Sequence, residues 1–243
     1  FEGQITHFQE SCHVIAWDFY GCGKSPKPEE WEGYSQKEMY TDLCTIFDTW
    51  KGKKNIVVGH SYGANLALQL AADRADDKES NIIGVIALGP GFGPDNYPKG
   101  SIKLFSYPLF LLQMAAPLLR RGFLDRAVHP ETQKRENPVH DRLVARILAS
   151  AGSNPMHVCK AFYQQLAWVT PDSIQRIKVP VQIVVGEGDR ITPVKYSEAL
   201  VEVLKEGASP SVHFKIVPNT SHQVMQEQPS ETCTLMEEFM KAL

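Results

Sequence analysis

The sequence predicts an α/β protein on a doubly wound, mostly parallel sheet with a helical insertion, and three observations point there. Short, nearly all-apolar runs alternate with helix-patterned stretches, as when strands are covered on both faces by helices. One run leads through a glycine-flanked serine directly into a helix of small residues. From residue 100 to 171 the strand pattern stops.

The expected strands come first. HVIAW (His13–Trp17), NIVVG (Asn55–Gly59), IIGVIALG (Ile82–Gly89) and VQIVVG (Val181–Gly186) read as strands buried on both faces. VHFKIV (Val212–Val217) alternates more strongly and is expected nearer an edge. Helical patterns occupy Ser35–Trp50, Asn65–Arg74, Pro193–Lys205 and Pro229–Leu243. In such a fold, functional side chains gather beyond the carboxyl ends of the strands.

Residues 100–171 carry only helix-like stretches, punctuated by Pro108, Pro117, Pro130, Pro138 and Pro155. The expected organisation is therefore a core in two parts, 1–99 and 172–243, with 100–171 as a helical lid over the sheet's carboxyl edge. The apolar stretch Leu104–Leu119 is bounded by Lys103 and Arg120 and broken by two prolines. A bilayer span needs about 20 predominantly apolar residues, so this segment is expected to pack as a lid face or touch lipid, not to cross a membrane.

The 243 residues suffice for one large core, with 43% hydrophobic and 22% charged residues. A net charge of -3 gives no reason to expect a nucleic-acid partner. The five cysteines, Cys12, Cys22, Cys44, Cys159 and Cys233, follow no disulfide or zinc spacing and lean towards a reducing, cytoplasmic setting. The stretch WDFYGCGKSPKP (Trp17–Pro28) contains the Gly-Lys-Ser of a phosphate-binding loop. That loop also needs a glycine where this chain has Asp18, so a glycine-rich turn with a solvated Lys24 is expected instead.

Chemistry concentrates in NIVVGHSYGANLALQL. Gly59-His60-Ser61-Tyr62-Gly63 is a G-x-S-x-G turn between a buried strand and a helix, the context that lifts a serine hydroxyl clear of a sheet. A serine needs a base, and His222, on the loop after the last strand, is the expected one among eight histidines. An imidazole acting as base needs a carboxylate behind it. Asp189, just beyond Val181–Gly186, is expected, with Asp95 and Glu187 as alternatives. The backbone N–H of Tyr62 is the expected first oxyanion donor.

These segments resemble the α/β-hydrolase-fold serine hydrolases of the abhydrolase-domain type. KKNIVVGHSYGANLAL, VVGEGDRITP and NTSHQVMQEQP resemble that family's nucleophile, acid and histidine segments. Asp18, Gly21, Gly23 and Ser25 match its D-x-x-G-x-G-x-S loop. The resemblance implies hydrolysis of carboxylic esters or acyl lipids through a Ser61 acyl-enzyme, with no cofactor and no metal. Thioester or carbon–carbon bond hydrolysis, and non-catalytic ligand binding, remain open alternatives. Phe110, Leu111 and Met114 are the expected substrate contacts in the lid. The family's strand ending in His-Gly, whose loop gives a second oxyanion donor, has no match here, so N-terminal strands are expected to be missing.

Overall fold

The computed structural model describes residues 1–92, 103–134, 136 and 139–243. Four strands form one parallel sheet: β1 (Asn55–His60), β2 (Ile82–Leu88), β3 (Val181–Gly186) and β4 (Val212–Val217), in the order β1-β2-β3-β4. The helices are α1 (Glu2–Phe8), α2 (Gln36–Trp50), α3 (Tyr62–Asp73), α4 (Leu109–Ala127), α5 (His140–Ser153) and α6 (Met156–Gln165). They continue with α7 (Pro171–Ile174), α8 (Val194–Glu206), α9 (Val224–Glu227) and α10 (Pro229–Lys241).

Strand side chains alternate between faces, and here both faces are covered. Val85, Ala87, Val181 and Ile183 pack with Ala64, Ala67 and Leu68 of α3 and Leu200 and Leu204 of α8. Ile86, Leu88 and Val184 turn to the other face, against Phe8, Met225, Met236 and Phe239. This double burial is why β2 and β3 read as continuous apolar runs. The small residues of α3 let it approach the sheet, while Leu66 and Leu70 look outward to Met39 and Leu43 of α2. Helix α2 opens where its sequence says, with the Ser35 side chain accepting from the N–H of Glu38.

Two strand expectations need correction. His13–Trp17 forms no strand. The run makes no ladder, although Val14 packs against the buried cluster around Ile86 and Leu88. β1 is a strand but not a doubly buried one. Among the described residues it pairs only with β2, and Val58 is 37% exposed. A run of apolar residues specifies strand-like burial only where neighbours exist to pair with it, and pairing is not a local property. β4, the strand with the clearer alternation, is the opposite edge, with Ile216 exposed.

Between Leu88 and Val181 the described residues contain no strand. α4 packs on α5 through Leu124, Leu143 and Ile147, and on α6 through Leu112, Ala116 and Met156. Among the described residues, no helix is long and apolar enough to cross a membrane.

Candidate active site

The serine turn is held in a conformation that few side chains adopt. Ser61 has φ 54° and ψ -120°, outside the regions open to ordinary L-residues, at a cost of about 1–3 kcal/mol. Surrounding structure enforces it: the Ser61 N–H donates to the Leu88 carbonyl at 2.9 Å. Gly59 must be glycine, because a Cβ there would lie 2.2 Å from the Gly63 carbonyl oxygen. Gly63 itself is not crowded. A Cβ at that position would meet nothing nearer than the Phe19 ring at 3.9 Å, so only the first glycine is required by close approach. Ser61 is also the residue before α3, at the end of the helix whose first-turn N–H groups favour negative charge. Tyr62 supplies the first of these. Its ring is buried edge-on against Phe162 and Trp168, which fixes the backbone that carries the N–H.

Asp189 and His222, the expected acid and base, meet beyond the ends of β3 and β4. His222 Nδ1 lies 2.8 Å from Asp189 Oδ2, with both side chains buried. The carboxylate accepts, so Nδ1 carries the proton and Nε2 is left as the basic nitrogen. The other oxygen of Asp189 accepts from the N–H groups of Ile191 and Thr192, each at 2.8 Å. Asp189 thus serves as a turn residue and as the histidine's partner at once. Burial works to raise its pKa, but the His222 charge and the amide hydrogen bonds outweigh it and hold the carboxyl below its ordinary value.

Thr192 was not singled out by sequence reasoning. Its hydroxyl sits 2.9 Å from Asp189 Oδ2, 2.9 Å from the Gly89 carbonyl and 3.1 Å from His222 Nδ1. The chain signal was present in Asp-Arg-Ile-Thr, where the aspartate closes a turn on the threonine's own N–H. Through Gly89, Thr192 also ties the dyad to the end of β2, next to the Leu88 carbonyl that holds Ser61.

Of the alternative acids, Glu187 is exposed and its carboxylate accepts from Asn219 at 3.3 Å, away from His222. Asp95 lies outside the described residues. His60, beside Ser61, is tied into the fold. Its Nε2–H donates to the His222 carbonyl at 2.8 Å, and the two rings stand 4.7 Å apart. Burial, reinforced by the neighbouring His222, lowers the His60 pKa to about 3.

Asp189 and His222 pair directly through their side chains, and Ser61 is linked to them only through the backbone at the end of β2. Among the described residues no hydrogen bond links Ser61 Oγ to His222; such contacts commonly tighten only when substrate is bound. Phe110, Leu111 and Met114 are exposed on α4, at 61%, 40% and 77%.

The glycine-rich stretch also resolves. The Asp18 carboxylate accepts from the Lys24 N–H at 2.8 Å, and Ser25 Oγ donates to the Asp18 carbonyl at 2.6 Å. Gly23 has φ 50°, and a Cβ there would fall 2.2 Å from the Asp18 carboxyl carbon. The loop closes on its own aspartate, which fills the space a phosphate would need, and Lys24 is exposed. The groove it borders, about 560 Å³ and lined by Trp17, Asp18, Tyr20 and Asp42 among others, contains none of Ser61, Asp189 or His222.

With this geometry in hand, similarity to known proteins becomes informative. Residues 7–229 match the family described as serine aminopeptidase, S33. The chain belongs to that family. It is 25% identical over 229 residues to Protein ABHD8 of human and of mouse, covering 93% of this chain and 48% of theirs. The chain thus spans about half the length of those curated relatives. Among solved structures it resembles Est816, described as an N-acyl homoserine lactone degrading enzyme, with TM-score 0.75, 24% identity, and coverage of 98% of this chain and 86% of that one. It also resembles the enol-lactonase of Burkholderia xenovorans LB400, with TM-score 0.78, 17% identity, and coverage of 98% and 85%. The fold is therefore the α/β-hydrolase fold, and the abhydrolase-type resemblance of the sequence holds.

Proposed function

We propose that this chain is a serine hydrolase that cleaves carboxylic esters or acyl lipids through a Ser61 acyl-enzyme. The observation that carries the reading is the buried 2.8 Å Asp189–His222 pair, set at the same strand edge as the strained Ser61 turn. In this reading His222 Nε2 takes the Ser61 proton as the hydroxyl oxygen attacks the ester carbonyl. The Tyr62 N–H stabilises the resulting oxyanion, and His222 then returns the proton to the departing alcohol. Water next attacks the acyl-enzyme with the same histidine as base, releasing the acid and restoring Ser61. Asp189 keeps Nδ1 protonated throughout and stabilises the imidazolium.

A neutral carbonyl substrate fits better than the charged amine terminus that the family's name evokes. Among the described residues the buried carboxylates are Asp189 and Glu227, and both already accept hydrogen bonds from the protein's own donors. The exposed Phe110, Leu111 and Met114 support acyl lipids as substrates, since they would meet an acyl chain, or the surface of a lipid phase, before it reached the serine.

Two measurements test the proposal together: initial rates on p-nitrophenyl esters of increasing acyl length, and covalent labelling by a fluorophosphonate. Ser61→Ala should abolish both while the far-ultraviolet circular dichroism stays unchanged. Labelling without turnover of any ester would favour thioester or carbon–carbon chemistry on the same serine. Neither labelling nor turnover by the folded wild type would leave a ligand-binding protein.

A further inference from the structure

Glu227, the last residue of α9, is one of only two buried carboxylates among the described residues, and the reaction does not use it. Its Oε1 accepts from the Ser221 N–H at 2.7 Å, and its Oε2 accepts from the His129 N–H at 2.8 Å. The Thr132 hydroxyl, also buried, is a third donor. Ser221 immediately precedes His222, whereas His129 and Thr132 follow the end of α4. One carboxylate therefore bridges the histidine loop and the helical segment.

The same two stretches are joined around it. The Gln223 N–H donates to the Ala127 carbonyl at 3.2 Å. Ser221 Oγ lies 2.9 Å from the Arg126 carbonyl and 3.0 Å from that of Gly188. On the far side, His60 holds the His222 carbonyl. The backbone of His222 is thus gripped on both flanks, and one grip belongs to α4.

From this geometry we infer that Glu227 is a positioning residue that fastens the histidine loop to the carboxyl end of α4, so that displacement of α4 moves His222. The inference rests on the serine-hydrolase reading for its catalytic consequence, but the fastening itself does not. The chemistry is specific. Two N–H donors converge on one side chain, and only a carboxylate offers an acceptor to each. A carboxamide of the same shape must turn its NH₂ towards one of them, leaving a buried donor facing a donor. Burial raises the Glu227 pKa, and these same hydrogen bonds oppose the rise.

The experiment compares wild type and Glu227→Gln by hydrogen–deuterium exchange and by ester kinetics. Exchange should accelerate in two places together, residues 128–133 and 219–223, while β3 stays protected. kcat should fall by up to about 100-fold through misplacement of the base, with KM for a short ester unchanged. Should Glu227→Gln fail to fold, Thr132→Val removes one donor from the Glu227 carboxylate on the α4 side and should loosen both segments. Exchange that changes in one segment only, or in neither, overturns the inference, as does coupled loosening with unchanged kcat in a wild type that turns over esters. If the wild type shows no turnover or labelling, the serine-hydrolase reading falls, and paired exchange in the variant still decides the fastening.

Discussion

β3 and α4 are both dense in apolar residues, yet they end in opposite environments. All six residues of β3 are buried. On α4, only Leu112, Ala116, Leu124 and Ala127 are buried, and Leu118 stands 75% exposed. The difference lies in what covers each element. β3 has a helical layer on both faces and strands on both sides, whereas α5 and α6 cover only part of α4. Apolar density therefore reports burial reliably only when the surrounding architecture supplies two covering layers.

The comparison predicts large effects at the sheet's carboxyl edge and small ones on α4. Asp189→Asn should cut kcat by about 10⁴, because Nδ1 would no longer be held as the proton-bearing nitrogen. Steady-state rates on a short ester check this. A loss below about tenfold would mean that Thr192 and the loop position His222 without the charge.

Next come the core and its titration. Ile86→Ala should destabilise by about 2–5 kcal/mol in chemical denaturation, whereas Leu118→Ser should stay within about 0.5 kcal/mol. Equal costs would mean that α4 is covered by something more than α5 and α6. The pH dependence of stability follows from His60. Its folded pKa of about 3 lies below the ordinary 6.5, so neutral His60 gives its full support above about pH 6.5. That support is lost as pH falls from about 6.5 towards 3, because the unfolded chain gains the proton first. Asp189, also lowered when folded, loses its support at the acid end, while Glu227, raised when folded, works with the opposite sign. His60→Gln should flatten the fall in thermal midpoint between pH 6.5 and 4. An unchanged slope would contradict the buried, neutral His60.

The smallest effect is in specificity. Polar replacement of Phe110 and Leu111 should weaken long-chain esters relative to acetate esters by about 1–3 kcal/mol in kcat/KM. Equal losses for both chain lengths would remove α4 from substrate contact.

What the sequence disclosed follows the range of each interaction. β3 and β4 begin and end as expected, because their periodicity and bounding turns lie within a few residues. The Ser61 turn was legible for the same reason, and the Asp189–His222 pair was placed by strand–helix order. His13–Trp17 was read as a strand and β1, a strand as expected, as buried on both faces, because a strand's pairing and burial depend on partners distant in sequence. Thr192, His60 and Glu227 escaped full assignment because their partners, Gly89, the His222 carbonyl and His129, lie 103, 162 and 98 residues away.

Ser61 is the proposed nucleophile, and the Asp189–His222 pair is its proposed activator. The most direct measurement is mass spectrometry of the folded chain after brief exposure to a fluorophosphonate, with peptide mapping of the adduct. A single adduct on Ser61 is expected in the wild type, with labelling slowed at least about 10³-fold in His222→Ala, where no base remains. An adduct on another residue, or equal labelling rates in the two proteins, would contradict that assignment.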